Sequence, residues 1–128
     1  MSQLSDYAEN ALFSHLLRNV SLTSPTTVYL ALYTASPTDA DSGTEVTGGS
    51  YARQAITFGA PSNGVGTNSA LITFPTASAS WGVVTHFGIR DNNSGGNLLI
   101  WGALTNQKTV DIDDTVKVNI GDLSVTFA

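Results

Sequence analysis

WGVVTHFGIRDNNSGGNLLIWGAL, residues 81–104, is the stretch whose reading decides the fold. Strict alternation puts Val83, Thr85, Phe87 and Ile89 on one face and Val84, His86, Gly88 and Arg90 on the other, as a strand requires. The Asp, Asn, Ser and Gly residues of DNNSGG then bring the chain round, each suited to turn dihedrals or side-chain-to-backbone bonds. NLLIWGAL returns with apolar residues on both faces, so the segment predicts an antiparallel core hairpin. In this reading Val83, Phe87 and Ile89 pack inward, while Gly82 and Gly88 let neighbouring groups approach closely.

Outward from the hairpin, TTVYLALYT (26–34) is a nearly continuous β-forming apolar run and predicts the central strand, covered on both faces. ASPTDADSGTEVTGGS (35–50) is polar, too long for a tight turn, and reads as a surface loop of the kind that carries contacts. Further strands are expected in YARQAITF (51–58), with Ile56 and Phe58 beside Ala52 and Gln54, and in SALITF (69–74), ended by Pro75. Between them lies a glycine-rich loop in which Gly64 and Gly66 are expected at positive φ. TVDI, TVKV and LSVTF, separated by DD and NIGD, predict a closing meander.

Only DYAENALFSHLLR (6–18) carries helical periodicity, with Ala8, Ala11, Leu12 and Leu16 on one face and Phe13 and Leu17 widening it. Asp6 followed by Glu9 reads as a capping box, and Asn19 with Pro25 beyond it closes the helix. A helix this short is marginal alone and must dock. The expected fold is therefore mainly β: an antiparallel β-sandwich or partly closed barrel of about seven to eight strands with one N-terminal helix. One domain is expected over residues 1–128, with the arm and helix at about 1–19.

Composition narrows the function classes. Charged residues make up 12% of the chain, the net charge is −5, and the five Lys and Arg are scattered, which is no footprint for a phosphate backbone. No apolar run approaches the ~18 residues of a membrane span. MSQLSDYAEN lacks the positive and apolar regions of a secretory signal, so a protein made and used in the cytoplasm is expected. Without cysteine there are no disulfides, and stability must come from packing or association.

No catalytic constellation forms in the sequence. His15 lies mid-helix with no second histidine at ligand spacing, and His86 has no nucleophile elbow beside it, so a packed, hydrogen-bonded His86 is expected. SNGVG lacks the Lys-Ser/Thr of a phosphate loop. Asp39, Asp41 and Glu45 alternate like the ligands of a calcium loop, but no glutamate sits at the EF-hand distance, and a solvated or partner-contacting loop is the expectation. Asp111, Asp113 and Asp114 read as turn formers, and Trp81 and Trp101, each followed by Gly, as core residues rather than a sugar platform. No catalytic, cofactor or metal residue is assigned.

SDYAENAL, TTVYLALYTASPTDADSGTEVTGGSYARQAITFGAPSNG, ITFPTASASWGVVTHFGIRD, GGNLLIWGALTNQKTV and GDLSVTF, in that order, resemble a family of small tailed-bacteriophage proteins commonly labelled tail fibre proteins. The profile also resembles capsid decoration, or cement, proteins. The resemblance implies a non-enzymatic virion component assembled in the host cytoplasm. One compact domain of roughly 30 Å fits a coat-bound module better than an extended fibre, so a decoration subunit that stabilises the assembled head is expected first. A tail-fibre or tail-tip component in host attachment comes second, and a carbohydrate-binding module third. Expected partners are the major capsid protein or tail proteins of the same virion and further copies of the chain, trimers among the forms such proteins take; neither nucleic acid nor membrane is expected. Assembly contacts are assigned to Tyr7, Leu12 and Leu16 of the helix, to Asp39, Asp41 and Glu45 of the loop, and to Arg53 and Arg90, whose guanidinium forks suit inter-subunit ion pairs.

Overall fold

The structure is a computed structural model and describes residues 2–127. In chain order the elements are β1 (Ser2–Leu4), α1 (Asp6–Leu17), β2 (Val28–Ala35), β3 (Thr44–Glu45), β4 (Gln54–Ile56), β5 (Val65–Thr67), β6 (Ile72–Thr73), β7 (Gly82–Arg90), β8 (Leu98–Val110), β9 (Lys117–Val118) and β10 (Ser124–Thr126). One antiparallel sheet runs β1-β8-β7-β2-β3, with β4 beside the start of β2; β10-β5 and β6-β9 are two short ladders. Together they form a sandwich-like, mainly β fold that does not close into a barrel. Strand number exceeds the expected seven or eight because several strands are two- or three-residue pieces separated by turns.

The β7–β8 hairpin and the central place of β2 follow the sequence reading. Leu30, Leu32, Phe87, Ile89 and Val110 from the large sheet meet Ile72, Phe74, Val116, Leu123 and Val125 in one core. At one end, Trp81 stands edge-on to Tyr51 and Phe74, with ring centroids 5.4 Å and 6.2 Å away.

The face assignment within β7 needs correcting. Val84 is buried beside Phe87 and Ile89, whereas Val83 is exposed. Opposite the single residue Thr85, β8 carries Leu104, Thr105, Asn106 and Gln107 without ladder partners, since Val84 pairs Lys108 and His86 pairs Ala103. This bulge resets the two-residue alternation, so parity counted from Ile89 fails on its far side. The bulge also carries β8 on to Val110, making the TV of TVDI its end rather than a separate strand. Gly64 has positive φ, as expected, but Gly66 lies in β5 with an ordinary φ. Gly82 needs its positive φ of 82° rather than close approach, whereas a Cβ on Gly88 would lie 2.7 Å from Tyr33 Cε1.

The cap of α1 also differs. Ser5 is the N-cap, accepting from the Ala8 N–H at 3.1 Å, one residue before the expected Asp6. Its hydroxyl also donates to the Leu98 carbonyl, and the Asp6 N–H donates to the Asp39 carbonyl at 2.8 Å, so the first turn is tied to the sheet. At the other end Asn19, at φ 57°, turns the chain away, and the N–H groups of Arg18 and Val20 both donate to the Ser14 carbonyl. Of the expected apolar face only Ala8 is buried; Ala11 and Leu12 are half-buried, and Leu16 is exposed.

Candidate functional site

The face of the large sheet opposite the core is covered by the 36–43 loop, and there the charged residues converge. Ala31, Tyr33, Gly88, Arg90 and Leu98 are all buried. Arg90 Nη1 and Nη2 donate to Asp41 Oδ1 and Oδ2, each at 2.8 Å, forming a two-pronged pair. The remaining donors reach the Tyr33 hydroxyl at 3.0 Å and the carbonyls of Gly95 at 3.3 Å and Gly96 at 3.0 Å. Burial of the guanidinium works against its charge, but the bonds to Asp41 and Tyr33 outweigh it and its pKa lies above the ordinary arginine value.

A second arginine repeats the arrangement at the edge of β2. Arg53 Nε and Nη2 donate to Glu45 at 2.8 Å and 2.7 Å, while Nη1 donates to the carbonyls of Asn92 and Gly95, each at 2.9 Å. Burial pushes Glu45 up, but Arg53 and the Tyr51 hydroxyl more than offset this, so its pKa lies below the ordinary glutamate value. Tyr51 donates to Glu45 at 2.7 Å and accepts from the Leu32 N–H at 3.0 Å, filling the gap in the ladder between β3 and β4. Burial and the bond to Glu45 raise its pKa, which keeps the phenol a donor. The two arginines thus clasp the 91–97 turn to the 36–50 loop.

Asp39, the third loop carboxylate, accepts from Trp101 Nε1 at 2.8 Å. Each loop carboxylate therefore faces an N–H donor of the same chain, and among the described residues no three His, Cys, Asp or Glu gather as metal ligands. Sequence reasoning assigned Arg53 and Arg90 to ion pairs across a subunit boundary; the structure instead spends both forks inside the chain. The clasp brings Asp41, Glu45, Arg53 and Arg90 together. Tyr33, Tyr51 and Trp101, which complete it, carry no local motif, because their partners lie between 6 and 62 residues away.

The helix residues lie apart from the clasp. Tyr7 and Leu12 line an apolar groove of about 450 Å³ between α1 and the sheet, with Leu22, Pro25, Ile100 and Phe127. On the outward side Phe13, Leu16 and Leu17 are 58%, 72% and 70% exposed. Phe13 and Leu17, expected to widen the buried stripe, face solvent instead, because i, i+4 spacing fixes a shared face but not its direction. His86 Nδ1 bonds Thr85 Oγ1 at 2.8 Å with Trp101 6.1 Å away, and Trp81 is buried with its Nε1 on the Gly49 carbonyl. Trp101, expected in the core, is instead half-buried on the opposite face of the sheet with its indole N–H on Asp39. Opposite the clasp, a cleft of about 480 Å³ opens between the layers, floored by Leu32, Phe87, Val110 and Leu123 and rimmed by Asn106, Lys108, Lys117 and Asp122.

The family model described as Podophage GP4 fiber I protein gp80 matches residues 3–126. No curated protein matches the chain.

Proposed function

Because this chain belongs to the podophage GP4 fiber I protein gp80 family and is a phage structural protein of the virion, we propose that it serves as a non-enzymatic subunit of a tail-fibre-type appendage. Its part there is to present a rigid β-sandwich to its neighbours. The observation that carries this reading is the family match, which spans both the helix and the whole sandwich. The clasp supports it physically. Charged groups used internally hold the long loop and the hairpin turn in one shape, so little ordering entropy is lost when the module docks. The proposed partners are other virion proteins and further copies of the chain.

Labelling intact particles with an antibody against this protein, viewed by electron microscopy, tests the reading. Label on fibres at the tail is the expected result. Label spread over the head would replace it with the decoration reading, in which the subunit stabilises the assembled shell by binding it in preference to free coat subunits.

A further inference from the structure

Residues 62–65, Ser-Asn-Gly-Val, hold the one Asn-Gly step of the chain, and the fold requires it there. Ser62 and Val65 pair across a two-residue turn, exchanging N–H to carbonyl bonds at 2.9 Å and 3.0 Å, with Asn63 at φ 52° and Gly64 at φ 78°. Positive φ at both central positions is the turn geometry that favours Asn followed by Gly. A Cβ on Gly64 would also collide with the Phe127 carbonyl oxygen. The Gly64 carbonyl in turn accepts from the Phe127 N–H at 2.8 Å, which fastens the end of β10 to the turn.

The same dipeptide sets a reactive amide next to an unshielded backbone nitrogen. Asn63 and Gly64 are both exposed, and among the described residues neither the Asn63 side chain nor the Gly64 N–H has a hydrogen-bond partner. Other asparagines are engaged. Asn68 is buried with Oδ1 and Nδ2 bonded to backbone groups, Asn97 Nδ2 donates to Asp91, and Asn92 Oδ1 accepts from the Ser94 N–H. Gly64 has no side chain to hinder approach to its nitrogen. Cyclisation needs the turn to open, and little holds it shut: the ladder of β5 and β10 is three pairs long, and both Ser62 and Val65 are exposed.

We propose that Asn63 is a spontaneous modification site, deamidating to aspartate and isoaspartate through a cyclic imide with Gly64. The Gly64 nitrogen bonds to Asn63 Cγ and gives up its proton, and the side-chain nitrogen leaves as ammonia. Solvent water then adds to either imide carbonyl and breaks its bond to the Gly64 nitrogen. Opening at Cγ gives aspartate with the original backbone, which keeps the turn, since Asp-Gly suits it as Asn-Gly does. Opening at the main-chain carbonyl gives isoaspartate, which lengthens the backbone by one carbon, breaks the Ser62–Val65 pairing and releases the Phe127 N–H. Either product adds a negative charge to a chain already at −5. The site does not depend on where in the virion the protein sits, so label on the head would leave it standing.

Ageing the purified full chain in mildly alkaline buffer, followed by peptide mapping with mass spectrometry, tests it. The peptide holding residue 63 is expected to gain about 1 Da and to split into two chromatographic species of equal mass. Its rate is about tenfold above that of the exposed Asn93, whose neighbour Ser94 carries a side chain that hinders the nitrogen. Amide exchange at Phe127 accelerates in the isoaspartate form and stays slow in Asn63→Asp. Asn63→Gly keeps the turn and abolishes the mass gain. A chain that reacts at residue 63 only when unfolded in urea, a rate at Asn63 no higher than at Asn93, a gain that survives Asn63→Gly, or unchanged exchange at Phe127 in the isoaspartate form would each overturn the proposal.

Discussion

Asp41→Ala removes the carboxylate that holds two Arg90 nitrogens at 2.8 Å while the guanidinium stays in place. The arginine cannot shed its proton, and its side chain is only 9% exposed, so the charge is left largely buried with the Tyr33 hydroxyl and two glycine carbonyls as company. Removing one partner of a buried pair costs about 3–5 kcal/mol, whereas breaking an exposed pair costs about 0.2–1 kcal/mol. The Asp41 side chain is 38% exposed, which lets water reach the gap and lowers the figure to about 3 kcal/mol. Arg90→Met keeps most of the packing but strands the buried Tyr33 hydroxyl, for about 2 kcal/mol. The double variant loses less than the two singles together, by about 1.5 kcal/mol, because the second substitution has no pair left to break. Urea denaturation followed by tryptophan fluorescence measures all three, with Trp101 reporting from the clasped loop and Trp81 from the core. In a thermal scan the loss from Asp41→Ala amounts to roughly 10 °C. A loss below about 1 kcal/mol for Asp41→Ala, or additive costs in the double variant, would refute the clasp as a buried, coupled pair.

The Glu45 pKa is lower in the folded than in the unfolded chain, so its contribution is fully present above the unfolded value near 4.5 and is lost as pH falls through the folded value. Glu45→Gln therefore flattens stability against pH below about 4.5, measured by urea titrations at a series of pH values; an unchanged acid limb would assign that limb to other carboxylates. Gly88→Ala drives a methyl group to within 2.8 Å of Leu98 Cδ1 and closer still to Tyr33, which Arg90 prevents from moving aside, and costs about 1–3 kcal/mol in the same assay. Ser5→Ala removes the N-cap acceptor and the donor to the Leu98 carbonyl, costing about 1–2 kcal/mol, with amide exchange accelerating first in the opening turn of α1. His86→Gln stays within about 0.5 kcal/mol of the parent, because its ring bonds only the neighbouring Thr85.

How much was legible depended on how local the signal was. The hairpin was readable because its turn chemistry and strand alternation both lie within residues 81–104, and β2 because an uninterrupted apolar run has few other uses. The parity of Val83 and Val84 was not, since it depends on four residues of β8 opposite one of β7, and LTNQ carries no mark of a bulge. In the clasp, Arg53 and Arg90 could be singled out as interface-capable forks, and Asp41 and Glu45 as loop carboxylates. That these groups meet each other follows from β2 lying between β7 on one side and β3 and β4 on the other, which is a property of the topology. The outward stripe of α1 failed for the opposite reason. Its spacing was plain, but a helix apolar on most of its circumference does not announce which face is inside; the tethers at Ser5 and Asp39 decide that.

Those tethers link the clasp to the helix. Asp41 is held by Arg90, and two residues earlier Asp39 accepts the Trp101 indole on its side chain and the first helical N–H on its backbone. The loop that the arginines hold down is thus also the loop that orients α1 against the sheet. No buried side-chain polar atom among the described residues lacks a hydrogen bond. The buried groups of the clasp therefore carry no unmet polar demand. The shape of the loop and the seating of α1 then depend on the same two arginines.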